Sequence, residues 1–363
     1  MEFEVLNETF FKKLKMLNGF VTKNGIGVYV KIEALENDTV TLEVNGNNNF
    51  CRISMVAKIE ECGSVLVMYK ELYKMLSSAN DVKALTFVKD DDYLHIFSVR
   101  KEGQQDFSFI TPTINIDIAN KFDTMGGSLV ELSSVDLVRK LNVAIPFANK
   151  DDFGRQHLIG VRMEYLEDGV VFKTTDGRRL CETSVILSDG EINEFDPVTI
   201  PLSFAEEMLK EYALIKEMIM IYVSNKSVVI KNPTITMGTS LISQQFPNFD
   251  KIIPSELGEH FVVELSELEK ALKKASVCCI KDPRVNLNLC ANSLEVKATD
   301  EDRRVSVDIA CSFDGEEKTI ACNYRYLSDL VKVFNNSRLS LYNTEKGLLA
   351  EDNNGTFLIA KMR

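Results

Sequence analysis

The chain has 363 residues, of which 45% are hydrophobic and 26% are charged; this composition is typical of globular proteins, and the length suits two or three domains. No apolar run approaches the roughly 18 residues of a membrane-spanning helix, and the first residues lack an apolar signal segment. Eight cysteines could suggest disulfides, but the chain is not a small Cys-rich scaffold, so they predict buried thiols of a reduced, cytoplasmic protein. The net charge of −12 does not exclude nucleic acid, because a polyanion responds to the local distribution of charge.

The first predicted helix of three separate segments follows one plan. A short alternating strand runs into a residue that can cap a helix, and an amphipathic helix follows. The segments begin at Phe3, Leu129 and Phe261. The predicted N-caps are Asn7, Ser133 and Ser266, and Glu269 would complete a capping box with Ser266. We therefore expect the same strand–helix unit three times.

A second amphipathic helix is predicted later in each segment, within residues 67–79, 200–215 and 321–334. Hairpin turns between the two helices are predicted at Asn37-Asp38, Asp168-Gly169 and Ala291-Asn292. Residues 161–187 and 285–311 also align without a gap, with identities that include Lys173 and Lys297. The sequence thus predicts an α+β fold of three repeated domains, each with two helices and about eight strands, at residues 1–125, 126–254 and 255–363.

The basic residues concentrate on the six predicted helices. Five of the helices carry a net positive charge, whereas the helix around residues 203–216 is net negative and the remainder of the chain is strongly acidic. A solvated helix face ordinarily carries lysine, which explains any one helix taken alone. If the repeats closed into a ring with the helices inside, the hole would attract phosphates without reading base sequence, so that the ring could slide.

Three motifs carry a resemblance to a known family. TTDGRRL at residues 174–180, QFPNFDKIIP at 245–254 and FLIAKMR at 357–363 resemble segments of the bacterial DNA sliding clamp, the beta subunit of DNA polymerase III. The resemblance implies crescent-shaped protomers of three clamp domains, two of which close a homodimeric ring around duplex DNA. It also implies a non-catalytic processivity factor, without cofactor or metal, that tethers DNA polymerase, the clamp loader and repair proteins through short linear motifs.

The resemblance places a peptide-binding groove between the second and third repeats. Carried over by position, the groove residues are Leu158, Thr175, Gly177, Arg179, Leu180, Pro247, Ile252, Leu358 and Met362. Such apolar types suit an adaptable peptide pocket, although leucine and isoleucine are individually more common in a core. Three positions depart from the family pattern: Arg178 replaces a common His, and Ala360 and Lys361 alter the C-terminal segment. These departures affect the expected motif preference.

Two further surfaces follow from the resemblance together with the helix charges. The residues expected to face DNA are Lys12, Lys23, Lys74, Arg139, Lys150, Arg155, Lys210, Lys273 and Lys274. The expected dimer interface brings Phe107 and Phe109 of one protomer to Ser276 and Val277 of the other. The alternative for the two phenylalanines is an ordinary inward strand face.

Little in the sequence indicates catalysis. No phosphate-binding loop motif occurs, and His95, His157 and His260 are isolated, without metal-ligand spacing. Cys278 and Cys279 are adjacent and cannot face one metal together. The alternative hypothesis to a clamp is an enzyme or regulator built on repeated α+β domains, with its site at a domain junction.

Overall fold

The computed structural model describes residues 1–21, 28–79, 81–99, 105–114, 126–150, 155–187, 190–254 and 257–363. Within these ranges it has six α-helices, which all coincide with predicted helices. They are α1 (Asn7–Met16), α2 (Tyr69–Ser78), α3 (Ser134–Ala144), α4 (Leu202–Tyr212), α5 (Leu265–Ala275) and α6 (Tyr324–Val333). None of the helices in the described residues is long and apolar enough to cross a membrane.

The strands fall into three successive groups. The first group is β1 (Glu2–Leu6), β2 (Tyr29–Leu35), β3 (Thr39–Asn45), β4 (Asn49–Val56), β5 (Lys58–Glu61), β6 (Gly63–Met68), β7 (Ala84–Asp90), β8 (Tyr93–Val99) and β9 (Gln105–Pro112). The second is β10 (Ser128–Ser133), β11 (Gly160–Leu166), β12 (Gly169–Thr175), β13 (Arg179–Ile186), β14 (Val198–Pro201), β15 (Met218–Val223), β16 (Ser227–Lys231) and β17 (Ile235–Ser240). The third is β18 (Glu259–Glu264), β19 (Arg284–Cys290), β20 (Ser293–Asp300), β21 (Arg303–Phe313), β22 (Lys318–Asn323), β23 (Arg338–Asn343), β24 (Leu348–Asp352) and β25 (Gly355–Ile359).

One antiparallel pairing scheme occurs three times. The first strand of each group pairs with the strand after the second helix and continues as a meander, giving the orders β1-β7-β8-β9, β10-β15-β16-β17 and β18-β23-β24-β25. The remaining strands give β6-β2-β3-β4, β14-β11-β12-β13 and β22-β19-β20-β21. Additional pairings join β5 to β1 and β18 to the end of β21. The predicted α+β fold of three repeats is therefore confirmed.

Neighbouring repeats are joined by strand pairing. The last strand of the second repeat, β17, pairs with β4 of the first, for example Met237 with Cys51. In the same way β25, the last strand of the third repeat, pairs with β13 of the second, for example Leu358 with Leu180. At each junction, the last strand of one repeat thus pairs with the first half of the fourth strand of the repeat before it.

By contact density the chain forms two compact units that do not coincide with the repeats. Unit 1 comprises Met1–Ser134, Gly190–Asn193 and Leu214–Leu241, and unit 2 comprises Val135–Asp189, Glu194–Ala213 and Ile242–Arg363. In unit 1 the rings of Phe3 and Phe87 stack at 4.6 Å between centroids. In unit 2 the rings of Phe147 and Phe357 lie 5.4 Å apart. The second repeat contributes strands to both units.

The predicted helix caps were wrong at two of three positions. The first helix starts at Asn7 itself, whose buried Nδ2 donates instead to the carbonyl oxygens of Ala79 at 2.7 Å and Val82 at 3.1 Å. The fifth helix starts at Leu265, so Ser266 lies inside it and no side chain caps it. Local spacing predicted both helices but placed their starts one or two residues too late, because each helix begins directly after the last residue of a strand, Leu6 or Glu264. The third helix begins one residue after Ser133.

Candidate functional site

A pocket of about 400 Å³ lies within unit 2. Its lining residues are Arg155, His157, Leu158, Thr175, Gly177, Arg178, Arg179, Leu180, Pro247, Ile252, Lys346, Leu358 and Ala360. Eight of the nine predicted groove residues are among them, although they come from three distant stretches of sequence. The pairing of β13 with β25 joins two of these stretches, and the third joins them because Phe246, Phe249 and Ile252 pack against Leu180 and Leu358.

The turn from β12 to β13 forms one side of the pocket. Oδ1 of Asp176 accepts the backbone N–H groups of Arg178 at 2.8 Å and Arg179 at 3.0 Å. The Thr175 hydroxyl donates to the carbonyl oxygen of Arg179 at 2.6 Å and accepts the N–H of Gly177 at 3.0 Å. Short polar side chains that bond their own backbone are typical of turns. The TDG sequence therefore holds a fixed turn rather than a mobile loop.

A glycine is required at position 177 of this turn. Its φ is +84°, in the region that residues with a Cβ rarely adopt. A Cβ placed there would also lie 2.9 Å from Nη1 of Arg155 and 3.5 Å from Cδ1 of Leu158. Gly177 thus allows the side chains of two other lining residues to approach the turn.

The guanidinium of Arg179 fixes this turn to two other elements. Its Nε donates to Oδ2 of Asp176 at 3.0 Å, Nη1 to Oδ2 of Asp329 on α6 at 2.7 Å, and Nη2 to the carbonyl oxygen of Pro146 at 2.7 Å. Only 9% of its side chain is exposed. Its charge is compensated by two carboxylates, so its contribution to the pocket is structural.

Two aromatic rings enclose the same guanidinium. Its carbon lies 4.5 Å from the centroid of the Tyr326 ring and 5.3 Å from that of Phe147, distances at which a cation is attracted to a ring face. Burial raises the pKa of the Tyr326 hydroxyl, and the Asp176 carboxylate raises it further. Arg179 therefore packs between neutral rings.

The floor of the pocket is apolar. Leu180 and Leu358 face each other across the β13–β25 pair and are only 2% and 4% exposed. They pack in one cluster with Phe246, Phe249 and Leu349, and Ile252 packs against that cluster. A floor of this kind takes up an apolar side chain by removing its surface from water. These residues combine core packing with a recessed binding surface.

Exposed cations form the rim. Arg155, Arg178 and Lys346 are exposed and His157 is half-buried. Lys346, in the turn between β23 and β24, donates to the carbonyl oxygen of Lys251. No carboxylate lines the pocket within the part of the chain that the structure describes. Sequence reasoning missed His157 and Lys346, because nothing in their local sequence signals that strand pairing brings them to the groove.

After β25, Ala360 lines the pocket, whereas Lys361 and Met362 are not among its described lining residues. The Ala360 N–H donates to the carbonyl oxygen of Arg178 at 2.8 Å. The next residue points elsewhere, since Nζ of Lys361 donates to the carbonyl oxygen of Thr344 at 2.6 Å. Met362, the ninth predicted groove residue, is not among the lining residues, and its N–H donates to the carbonyl oxygen of Ala321 at 2.7 Å.

Eight of the nine residues expected to face DNA are exposed; Lys23 lies outside the described residues. Two of the eight are partly neutralised within their own helices, Arg139 by Asp136 at 2.8 Å and Lys210 by Glu207 at 3.0 Å. For Lys12, Lys74, Lys273 and Lys274 no ion pair is found within the described ranges. Arg155 lies at the pocket rim.

One helical lysine that contributed to the predicted charge pattern is not on the surface. Lys140 is 4% exposed, and its ammonium donates to the carbonyl oxygens of Asn353 at 3.2 Å and Asn354 at 3.1 Å. Burial lowers the pKa of this amine, and the neighbouring Arg139 lowers it further. Lys140 therefore joins α3 to the β24–β25 turn and is unavailable to a ligand.

The residues expected at a dimer interface are partly accessible. Phe107 and Phe109 are half-buried on β9, Ser276 is half-buried, and Val277 is 56% exposed. In the described part of the chain, β9 pairs with β8 only, and residues 303–310 of β21 pair with β20 only. Both strands thus have one unpaired edge.

All eight cysteines are free thiols. Burial raises the pKa of Cys322 to about 12 and those of Cys279 and Cys311 to about 11, which disfavours the thiolate that nucleophilic or metal-binding chemistry requires. Among the described residues, no group of three or more His, Cys, Asp or Glu side chains could hold a metal ion.

Two family profiles match adjacent parts of the chain. Residues 131–248 match the profile described as "DNA polymerase III beta subunit, central domain", and residues 250–360 match "DNA polymerase III beta subunit, C-terminal domain". The chain belongs to the bacterial beta sliding clamp family. The matched ranges contain the whole pocket lining.

Individual beta sliding clamps are distant relatives. That of Treponema pallidum (strain Nichols) is 26% identical over 228 residues, which cover 61% of this chain and 60% of that protein. That of Synechococcus elongatus is 24% identical over 298 residues, covering 79% and 77%. The chain spans about 60% of the length of the T. pallidum clamp and 57% of that of Rickettsia bellii.

Solved clamp structures share the fold along the whole chain. The DNA polymerase III subunit beta from Pseudomonas aeruginosa superposes with a TM-score of 0.89 at 17% identity, covering 100% of both chains. The subunit from Borrelia burgdorferi, solved in complex with a natural product, gives a TM-score of 0.85 at 18% identity, covering 100% of this chain and 98% of that one.

Proposed function

We propose that this chain is a DNA polymerase processivity factor that acts without catalysis in the cytoplasm. Two copies close a ring around duplex DNA, and the pocket of unit 2 holds short segments of DNA polymerase, the clamp loader and repair proteins. Each protomer contributes three clamp domains, at residues 1–125, 126–254 and 255–363.

The repeated strand junction is the observation that carries the proposal. Within the chain, β17 pairs with the first half of β4, and β25 pairs with the first half of β13. Two edges remain unpaired in the described residues: that of β9, the last strand of the first repeat, and that of the first half of β21, the fourth strand of the third repeat. Continuing the same junction between two copies pairs β9 of one with β21 of the other. A head-to-tail contact of this kind forms a closed ring when the rotation that relates one copy to the next completes a full turn.

The open edges carry side chains that suit such a junction. Phe107 and Phe109 alternate with exposed residues on β9, and the half-buried Val305 and Val307 alternate in the same way on β21. Pairing the two edges would satisfy their backbone groups and cover these apolar side chains. An unpaired edge of this length would otherwise favour non-specific association.

DNA binding is attributed to lysines of the helices. Lys12, Lys74, Lys273 and Lys274 are exposed and have no ion pair within the described ranges, whereas the chain as a whole carries −12. Local positive charge in an acidic protein attracts phosphates to one surface and disfavours binding elsewhere. Contacts to phosphate alone leave the ring free to slide along the duplex.

Sedimentation and retention on DNA of defined topology test the proposal. The protein is expected to sediment at twice its 41.0 kDa mass. After loading with a clamp loader, it should stay on nicked circular plasmid and leave the same DNA once the plasmid is linearised. A species that is monomeric at all concentrations, or one retained equally by circular and linear DNA, would refute a closed ring.

A further inference from the structure

The rim of the pocket is positively charged, although binding an apolar side chain on its floor needs no charge. Of its cationic side chains, Arg179 is compensated by Asp176 and Asp329. Arg178 and Lys346 have no carboxylate within ion-pair distance among the described residues. They come from different segments, the β12–β13 turn and the β23–β24 turn, so the excess positive charge does not belong to a single loop.

This local charge opposes that of the whole molecule. The chain carries −12, so an acidic ligand is repelled by most of the surface and attracted at this pocket. Clefts lined by charge of one sign raise the local concentration of an oppositely charged ligand and speed its association. A purely apolar or basic segment would gain nothing from the rim.

We propose that the pocket selects partner segments in which large apolar residues are flanked by aspartate or glutamate. The apolar residues occupy the floor formed by Leu180, Ile252 and Leu358, and the carboxylates pair with Arg178 and Lys346. This inference rests on the proposed function, since it specifies which peptides the partner site accepts. A polypeptide fits better than nucleic acid, because the described lining contains aliphatic side chains and no Phe, Tyr or Trp ring on which a base could stack.

The small side chain of Ala360 leaves room for the flanking residues of a bound partner segment. The backbone at Ala360 is held by Arg178 at 2.8 Å, and Lys361 is turned away toward Thr344. Beside Arg178 the pocket wall therefore ends in a methyl group. At this position a flanking residue of the partner meets no side chain larger than a methyl group.

Fluorescence anisotropy with three labelled peptides tests the preference on the full-length protein. The first peptide has two leucines flanked by Asp and Glu, the second has the same leucines flanked by Asn and Gln, and the third has acidic flanks with serines in place of leucines. The first is expected to bind about tenfold more tightly than the second at low salt, and its advantage should shrink to about twofold near 0.5 M NaCl. The third should bind weakest.

Two variants locate the charge effect. Arg178→Gln and Lys346→Gln should each reduce the advantage of the acidic peptide about threefold and leave binding of the neutral peptide within twofold. Lys226→Gln, in the β15–β16 turn and outside the lining, makes the same charge change and should leave the advantage intact. An equal loss in all three variants would show a general charge effect and overturn the proposal.

The remaining outcomes separate this inference from the proposed function. Equal affinity for the acidic and neutral peptides would refute the acid preference while keeping a peptide groove. Failure of both leucine peptides to bind would refute the groove itself. If a single-stranded oligonucleotide displaced the acidic peptide and lost affinity in Arg178→Gln, the pocket would be a nucleic-acid site and the inference would be wrong.

Discussion

Nη1 of Arg179 donates to Oδ2 of Asp329 at 2.7 Å, although the two residues are 150 positions apart. The bond connects the first residue of β13 to the middle of α6, and thus the second repeat to the third. The same guanidinium holds Asp176 and Pro146. One buried side chain therefore fixes the geometry of the pocket turn.

Arg179→Lys is expected to destabilise the protein by about 2–4 kcal/mol, because an ammonium cannot replace a planar fork that donates in three directions between two rings. Urea unfolding monitored by circular dichroism measures the effect. Lys332→Gln is the control, since it removes the other ion pair of Asp329 at 3.3 Å from a lysine that is 68% exposed; it should change stability by less than about 0.5 kcal/mol. Equal losses of stability in Arg179→Lys and Lys332→Gln would show that the loss comes from the ion pairing of Asp329 and not from the guanidinium geometry of Arg179.

Ile252→Ala should weaken binding of the acidic leucine peptide about tenfold, because it removes apolar surface from the floor of the pocket. Met362→Ala is the matched comparison: it shortens an apolar side chain of the predicted groove that does not line the pocket, and affinity should stay within twofold. Isothermal titration calorimetry gives both values. A larger loss for Met362→Ala would place the groove nearer the C-terminal segment.

Charge reversal at Lys273 and Lys274 should reduce the fraction of protein retained on circular DNA about tenfold at low salt. The slope of log K against log salt should also become shallower by about 2, because two phosphate contacts are lost. The control is the double variant with the charges of Lys58 and Lys226 reversed, since both lysines are exposed and lie outside the helices. Equal retention in the two double variants would exclude α5 as a DNA-facing helix.

Phe109→Glu should shift the sedimentation equilibrium from dimer to monomer by at least a hundredfold in Kd, because a carboxylate would be buried at the proposed β9–β21 junction. Val56→Glu introduces the same charge at a strand residue that is 81% exposed and should leave the dimer intact. Thermal melting of both variants controls for folding. A folded Phe109→Glu dimer with unchanged affinity would argue against this junction.

Lys140→Met should cost about 1–3 kcal/mol near neutral pH, since the hydrogen bonds of the buried Lys140 side chain to the carbonyl oxygens of Asn353 and Asn354 are lost. The pH dependence has a definite sign. Because the pKa of Lys140 is lowered in the fold below the ordinary lysine value of 10.5, the folded protein releases this proton before the unfolded chain does. Stability of the unmodified protein relative to Lys140→Met should therefore rise as pH increases toward 10.5. Urea titrations of both proteins at pH 7 to 10 test this; a constant difference would show that the amine has an ordinary pKa.

The sequence by itself determined the architecture. Helical and strand periodicities are local properties of side-chain spacing, and they located all six helices and the predicted hairpin turns, including Asn292 with its positive φ of 63°. The threefold recurrence of one element order then implied one pairing scheme. Motifs at residues 174–180 and 245–254 supplied six of the eight predicted residues that line one pocket.

Tertiary structure alone decided which polar side chains were available. Asn7 and Lys140 resemble a helix cap and a surface cation in sequence, yet both are buried, and backbone carbonyls of distant loops and turns accept their protons. Lys346 reaches the pocket rim only because β25 pairs with β13. Local spacing determines which elements form, whereas burial and charge compensation depend on contacts between residues far apart in the chain, and these are set only when the sheets assemble.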